Sequence, residues 1–305
     1  MPRSSPEAAV LERLIEQIPN WPQTSSDQRI KYNQQRRVRS LDLSNLGLTT
    51  LFPEVRVLTE LQELYLHNNH LTQVPAELDP LSQLRVLYLS NNPLAQLPTK
   101  LGQFSQLQLL FLGGNRLTSL PIELGQLFHL QILFLEGNYL TQLPAELGQL
   151  PQLRSLYVEN NRLTSLPAEL GRLPRLETLE LGRNQLIQLP AELNQLGTLR
   201  RLDLSHNQLT QVPAEVSQLP ALQELDLSNN SLTQVPAEVS QLRKLRELNL
   251  SNNYLTQLPA ELGQMKKLRR LGLENNPDLQ IPPDDVVSAG VEAILTYLRN
   301  REGQG

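Results

Sequence analysis

Two residue types recur along this chain at a fixed interval of 23 residues, and this periodicity limits the folds that the chain can adopt. Asn occupies ten such positions, from Asn69 to Asn276, and Pro occupies ten, from Pro75 to Pro282. Each unit follows the pattern LxxLxLxxNxLTxLPAELGQLxx, without insertion from Leu61 to Gln280. A unit of this size cannot bury its own leucines, so the pattern predicts a solenoid in which stacked neighbours share a continuous core.

The positions within a unit predict its local structure. Alternating apolar residues around the second and third Leu, as at Leu156 and Val158, indicate a short strand, and stacked strands would form a parallel sheet. The repeating Asn, here called the ladder Asn, follows each strand, where its amide can satisfy inward-pointing backbone groups. The ladder Pro, followed by Ala and Glu, resembles a helix start with the ring in the first turn, where no amide is needed.

These residues carry a family resemblance over roughly residues 38–283. The pattern resembles the leucine-rich repeat, specifically the 23-residue LPxELGQL subclass of intracellular Ras-group and Shoc-type proteins and bacterial Roco-type proteins. The resemblance implies an α/β fold: a right-handed leucine-rich-repeat solenoid, or horseshoe, with a parallel concave sheet used for protein–protein contact. It also implies a protein partner, with a small GTPase or another signalling protein as the candidate.

The limits of the repeat divide the chain into three segments. We expect an N-terminal helical cap at 1–37, eleven repeats at 38–283, and a C-terminal helical cap and tail at 284–305. The first and last repeats are degenerate, because Leu46 replaces the ladder Asn and Asp278 replaces a Leu.

Both end segments contain an apolar helical stripe that would cover the exposed end of the core. Ser5-Pro6 is a candidate helix start for the first, and an alternative for that helix is membrane binding. The stripes consist of Val10, Leu11, Leu14, Ile15 and Ile18, and of Val291, Ile294, Leu295 and Leu298.

The composition of the chain argues against some classes of binding partner. The net charge of −4 argues against general binding of nucleic acids or anionic membranes, which require a dominant basic face. The chain contains no Cys, which excludes disulfides and thiolate chemistry and fits a reducing compartment. With no signal-peptide pattern at its start, the sequence predicts a cytoplasmic protein; its oligomeric state is left open.

Catalytic motifs are missing from the sequence. It has no GxxxxGK[ST] phosphate loop and no GxSxG nucleophile elbow, and His67 and His70 lack a third metal ligand beside them. We therefore expect no enzyme activity, no cofactor and no metal. The alternative is a hydrolase that uses carboxylates of the concave face.

A binding function is expected at the positions where the residue type varies from repeat to repeat. The residue between the two inward apolar residues of each strand points to the concave face, and five successive repeats place an aromatic there. Aromatic residues make up only 4% of the chain, so this run predicts a partner-binding surface. Its residues are Tyr65, Tyr88, Phe111, Phe134 and Tyr157, with Val86, Leu109 and Ile132 two residues earlier in their strands.

Other interpretations of this run remain open. The rings could stack on one another purely for stability, or they could recognise a peptide or a carbohydrate. Beyond the run, the same column contains Glu180, Asp203 and Asp226, with Glu136 and Glu159 two residues further along neighbouring strands. We interpret this acidic set as an electrostatic rim that steers a basic partner. The last repeats contain a cluster of Lys and Arg residues. We interpret this cluster as a solvated edge or as a site for phosphate or an acidic partner.

Overall fold

The computed structural model describes residues 7–18, 21 and 29–302. The chain divides into two compact units, the first consisting of Met1–Leu140 and Gln149–Leu153 and the second of Thr141–Gly148 and Arg154–Gly305. The predicted helix start at Ser5-Pro6 and residues 303–305 of the predicted tail lie outside the described residues.

The described part of the first unit contains strands that pair in chain order. Its elements are α1 (Ala8–Gln17), β1 (Ile30–Tyr32), β2 (Val38–Asp42), β3 (Glu63–Tyr65), β4 (Val86–Tyr88), β5 (Leu109–Phe111) and β6 (Ile132–Phe134). Strands β2 to β6 are parallel, and each is in register with the strand one repeat away. Strand β1 pairs antiparallel with β2, so the segment predicted as a helical cap also contributes a strand.

The second unit continues the same repeat with parallel strands in chain order. Two α-helices follow the strands. The elements are β7 (Ser155–Tyr157), β8 (Thr178–Glu180), β9 (Arg201–Asp203), β10 (Glu224–Asp226), β11 (Glu247–Asn249), β12 (Arg270–Gly272), α2 (Asp284–Ser288) and α3 (Val291–Glu302).

The helix predicted after the ladder Pro is a short 3-10 helix for Pro75 to Pro259, and each Pro lies just before it, whereas an α-helix follows Pro282 and Pro283. Pro121, for example, has extended backbone and its carbonyl accepts from the amide of Leu124 at 3.2 Å. Leu124 in the 3-10 helix and the following Leu127 and Leu130 are fully buried, and backbone bonds from Leu127 to Leu124 and from Leu130 to Leu127 continue the three-residue spacing of a 3-10 helix beyond its end. The 3-10 helices are η1 (Pro53–Val57), η2 (Ala76–Leu78), η3 (Thr99–Gln103), η4 (Ile122–Gln126), η5 (Ala145–Gln149), η6 (Ala168–Arg172), η7 (Ala191–Gln195), η8 (Ala214–Gln218), η9 (Ala237–Gln241) and η10 (Ala260–Gln264).

The ladder Asn residues provide hydrogen-bond partners for backbone groups in the turn after each strand, as the sequence predicts. The side-chain amide of Asn184 donates to the carbonyls of Val158 and Leu181, both at 3.0 Å. Its Oδ1 accepts from the amide of Leu163 at 3.0 Å. One buried side chain therefore joins two consecutive repeats through three backbone groups, which would otherwise be buried without partners.

The residue before the ladder Asn adopts a left-handed backbone conformation, which the sequence analysis did not identify. Asn68 and Asn91 have φ of +56° and +55°, and Gly114 has φ of +67°. Asn and Gly tolerate this conformation better than other residues, which explains the repeated Asn-Asn and Gly-Asn pairs. The side-chain amide of Asn91 also donates to Oδ1 of Asn68 at 2.8 Å, so exposed Asn–Asn bonds lie beside the buried ladder where consecutive repeats both have Asn at this position.

Glycine in the repeat allows the 3-10 helices to approach each other. A Cβ added to Gly171 would lie 2.1 Å from the carbonyl oxygen of Glu192 in the next repeat. This distance is shorter than any contact that a side chain can make, so the stacking distance of these repeats requires Gly at this position.

Both described ends of the chain are covered by helices. Leu11 and Leu14 of α1 are fully buried, and the Gln17 side chain donates to Glu54 of η1 at 3.2 Å. At the other end, the Arg299 guanidinium donates to the carbonyl of Gly263 at 2.8 Å, and Leu298 is fully buried. Among the helices of the described residues, none is long and apolar enough to cross a membrane.

The ladder Asn generates the first prediction. Asn184→Ala should lower the free energy of unfolding by ~1–3 kcal/mol, because it leaves buried backbone groups without partners. The matched control is Asn194→Ala, since the Asn194 amide donates to the Gln218 side chain at the surface. Urea unfolding of the two variants measures the difference. Equal midpoints for both variants would contradict the structural role of the ladder.

Candidate functional site

The strands place their side chains alternately on two faces. In β3 to β6 the middle residue is a fully buried Leu, while the first and third residues are half-buried on the opposite side, here called the open face. Because the strands are in register, equivalent residues of successive repeats form columns across the open face. The columns are the surfaces on which this fold can vary without losing its core.

Four aromatic rings of the first unit form a continuous stack on the open face. The ring centroids are 4.9 Å apart for Tyr65 and Tyr88, 3.8 Å for Tyr88 and Phe111, and 4.5 Å for Phe111 and Phe134. Interplanar angles of 23°, 8° and 14° show that the rings are nearly parallel. We call these four residues the aromatic stack. Their mutual contact stabilises the sheet, so the stabilising role considered for them is present in the structure, alongside any binding role.

The aromatic stack is bordered by an apolar column on the same strands. Val86, Leu109 and Ile132 are the first residues of β4, β5 and β6, in register with one another, and all are half-buried. Glu63 occupies the equivalent position in β3. The expected surface is therefore apolar, but its side chains are partly covered by each other.

Tyr157, the fifth aromatic of the run, belongs to the second unit. It is the third residue of β7 and is half-buried, while the preceding Leu156 is fully buried. Its side chain thus lies on the open face of the second unit, as the alternation in the sequence predicts.

Two titratable residues lie beside the aromatic stack: His67, which was not identified as a site residue from the sequence, and Glu136, which was grouped with the acidic column. The His67 ring lies 5.9 Å from the Tyr88 ring, and its buried Nδ1 has no hydrogen-bond partner. Glu136 lies two residues after Phe134, and burial raises the pKa of its carboxyl group. The period-two alternation continues past the strand, and this signal could have placed His67 on the open face as well.

Burial and neighbouring groups keep the Tyr65 hydroxyl protonated. Burial, Glu63 and Tyr88 together raise the pKa of Tyr65 from 10.0 to about 12. The hydroxyl also donates to the Glu63 carboxylate at 3.3 Å. At neutral pH this end of the aromatic stack therefore carries a hydroxyl donor beside a carboxylate.

This shift generates a prediction for alkaline pH. Because the pKa is higher in the folded state, the unfolded chain loses its phenolic proton first, and stability should fall as the pH rises from about 10 towards about 12. Tyr65→Phe should remove this part of the loss. Urea unfolding at about pH 9 and about pH 11 measures it in both proteins. A parallel loss in wild type and variant would show that Tyr65 titrates normally.

The acidic column of the second unit differs from the expected rim. Only 6% of the Glu180 side chain is exposed, and its carboxylate forms an ion pair with Arg201. Arg201 also pairs with Glu224 at 2.5 Å. Burial raises the pKa of Glu180, while these carboxylates raise the pKa of Arg201 against the effect of its own burial. Glu180 therefore belongs to an internal ion-pair network and is not a solvated steering charge.

Asp203 and Asp226 also make hydrogen bonds within the second unit. Asp203 accepts from the amide of Ser205 at 2.7 Å, and Asp226 from the amide of Ser228 at 2.8 Å. Both side chains are half-buried on the open face. Each carboxylate accepts a hydrogen bond from a backbone amide in the turn that follows its strand. Its position on the open face also permits a steering role.

A cavity of about 400 Å³ opens on this face of the second unit. Gly272 contributes no side chain at its column position, and a Cβ there would lie 2.4 Å from Oδ1 of Asn249. The charged lining residues are Arg201, Asp203, Glu224, Asp226, Glu247, Arg270 and Glu274. Carboxylates therefore outnumber guanidinium groups, and the cavity is suited to a cationic or hydrogen-bond-donating group.

The Glu180 network generates a further prediction. Arg201→Ala should lower the free energy of unfolding by ~1–3 kcal/mol, because it leaves a buried carboxylate without its partner. The control is Arg154→Ala, since Arg154 pairs with Glu177 at 3.3 Å at the surface and should contribute ~1 kcal/mol or less. Thermal or urea unfolding at neutral pH compares the two variants. A control that is destabilised as much as Arg201→Ala would contradict the assignment.

The described residues contain no group of three or more His, Asp or Glu side chains placed to hold a metal ion. The first unit presents an apolar aromatic stack, and the second unit presents a polar cavity.

Comparison with known proteins identifies the family. Profiles described as "Leucine-rich repeat region", "Leucine rich repeat" and "Leucine Rich repeats (2 copies)" match residues 98–208, residues 36–94 and 220–277, and residues 198–239, respectively. A leucine-rich repeat protein of Leptospira interrogans is 36% identical, with a TM-score of 0.56, and the match covers 84% of this chain and 82% of that chain. The chain belongs to the leucine-rich repeat family.

Several receptors also share the fold. A TDR receptor is 30% identical, with a TM-score of 0.71, over 78% of this chain and 43% of its own. The Arabidopsis receptor kinase HAESA, solved with the peptide hormone IDA and the co-receptor SERK1, is 26% identical, with a TM-score of 0.72, over 88% of this chain and 53% of its own. The chain thus spans about half the length of these two receptor chains. No curated protein sequence matches it.

Proposed function

We propose that this protein is a non-catalytic interaction scaffold that binds a protein partner through the aromatic stack on the open face. The observation that carries the proposal is the change of residue type at the third strand position, from aromatic in β3 to β7 to acidic in β8 to β10, where Glu180 pairs with Arg201. The buried leucines are the same in both regions, so the core does not require this change. Variation that the fold does not require is expected at a binding surface.

The stacked rings are suited to binding because they are already ordered. Neighbouring rings restrict each other's rotation, so a partner that covers them loses little additional side-chain entropy. Tyr88, Phe111 and Phe134 share their strands with Val86, Leu109 and Ile132, and these half-buried side chains extend the apolar contact area. Aromatic residues at the centre of an interface often contribute most of its binding energy.

We further propose a cytoplasmic location and a role in signalling, within the 23-residue LPxELGQL subclass. The repeat sequence itself supports the subclass, and the lack of Cys supports a reducing compartment. A small GTPase is the candidate partner that the resemblance suggests. Cell fractionation tests the location, and binding of purified GTPases in their two nucleotide states tests the partner.

Truncating the central rings should weaken binding. Phe111→Ala with Phe134→Ala should raise the Kd for the partner about 30-fold or more, taking ~1.4 kcal/mol per decade. Because the rings also stack, we expect some loss of stability, so Phe111→Leu with Phe134→Leu provides a second variant that retains apolar volume. Affinity capture with mass spectrometry identifies the partner, and calorimetry measures its Kd.

Phe128→Ala is the matched control, since 54% of Phe128 is exposed and it lies outside the aromatic stack. The control should bind the partner like wild type. If both ring variants fold and bind with unchanged affinity, the aromatic stack serves only to stabilise the sheet and the proposed docking surface is wrong.

A peptide partner is the second candidate, supported by the structure of HAESA with a peptide hormone. A short peptide would retain its affinity for the aromatic stack when excised from its parent protein, whereas a folded partner would lose it. Titration of peptides from the captured partner separates the two cases.

A further inference from the structure

Three positions around each strand start change together in the last two repeats. In the repeat before them, these positions hold Pro220, Ala221 and Gln223, which carry no charge. In the last two repeats all are basic, and Arg270 adds a further cation as the first residue of β12. We call the seven residues the basic surface: Arg243, Lys244, Arg246, Lys266, Lys267, Arg269 and Arg270.

The basic surface is solvent-exposed and largely unneutralised. All seven residues are exposed, and all belong to the second unit. Within the described residues, the only ion pair that involves them joins Arg270 to Glu247 at 2.9 Å. In contrast, Arg200, which occupies the position of Arg246 two repeats earlier, pairs with Glu177 at 3.6 Å. The chain as a whole has a charge of −4, so this concentration of cations is local.

The sheet places these cations next to one another. The amide of Arg269 donates to the carbonyl of Arg246 at 2.8 Å, so the two side chains start from neighbouring strands about 4.8 Å apart. Like charges in adjacent positions of neighbouring strands destabilise a sheet. The arrangement therefore works against stability in the free protein, and a bound polyanion would relieve it.

Two cavities lie among these cations. One, of about 490 Å³, is lined by Arg246, Lys267, Arg269 and Arg270, with Glu247 as its single acidic residue. The other, of about 790 Å³, has a lining that includes Arg243, Lys266, Lys267 and Arg299. Both are large enough for acidic side chains, and arginine can bind a carboxylate through two parallel hydrogen bonds.

We propose that the basic surface binds an acidic segment of a protein, with clustered Asp or Glu side chains. This proposal goes beyond docking on the aromatic stack and does not depend on it. Neither cavity is lined by an aromatic residue, so base stacking, which single-stranded nucleic acids use, has no platform there. Met265, the apolar residue of the larger cavity, is only 4% exposed, so the surface lacks the apolar contact that interfacial membrane binding needs.

A defined probe tests the proposal with the full chain. A fluorescently labelled octa-aspartate peptide should bind the wild-type protein and dissociate as salt is raised. The test variant, Lys266→Ser with Lys267→Ala and Arg269→Gln, introduces residue types that other repeats already have at these positions. It should bind the peptide about tenfold more weakly or worse, because several charge-assisted hydrogen bonds are lost together. Fluorescence anisotropy measures the Kd.

The control removes the same charge elsewhere. Arg56→Gln with Arg85→Gln and Arg116→Gln changes three exposed arginines of the first unit and should leave the Kd unchanged. The melting temperature separates binding from folding, since removal of adjacent like charges should preserve or raise it in the test variant. Equal loss of affinity in both triple variants would overturn the proposal by showing nonspecific attraction. Binding of anionic vesicles or single-stranded RNA without binding of the peptide would overturn it as well.

Discussion

The buried hydrogen bonds of the ladder Asn residues are the interaction on which the rest of the structure depends. Each repeat ends its strand after only three residues, and the turn that follows leaves backbone groups inside the core. An amide both donates and accepts, so one Asn satisfies groups of its own repeat and of the preceding one. The same bonds fix the register of neighbouring repeats, and register aligns the columns of the open face.

Register explains how a repetitive core can carry a specific surface. The middle residue of β3 to β11 is a buried Leu, so selection on folding acts there and leaves the first and third residues free to vary. Aligned variation produces the aromatic stack in the first unit. In the second unit it produces the polar cavity, and aligned variation just before the last strands produces the basic surface. Each surface is a property of several repeats, because one residue per strand is too little to form a site.

Charged residues of the open face show how tertiary structure changes the meaning of a sequence pattern. Glu180 and Asp203 look equivalent in their column, yet Glu180 is buried against Arg201 and Asp203 caps its turn. Arg201 and Glu224, which decide this difference, belong to the neighbouring column. An inference from the sequence of a single column therefore overestimates the number of charged side chains that a partner can reach.

The sequence by itself determined the repeat, the strands, the role of the ladder Asn and the aromatic run, because each is set by local spacing that recurs many times. It missed β1, the 3-10 form of the return helices, and His67 beside the aromatic stack. Only the tertiary structure decided that the rings stack at 3.8 to 4.9 Å and that Glu180 is buried. Burial and stacking depend on side chains from neighbouring repeats, whose distances are fixed only when the repeats pack.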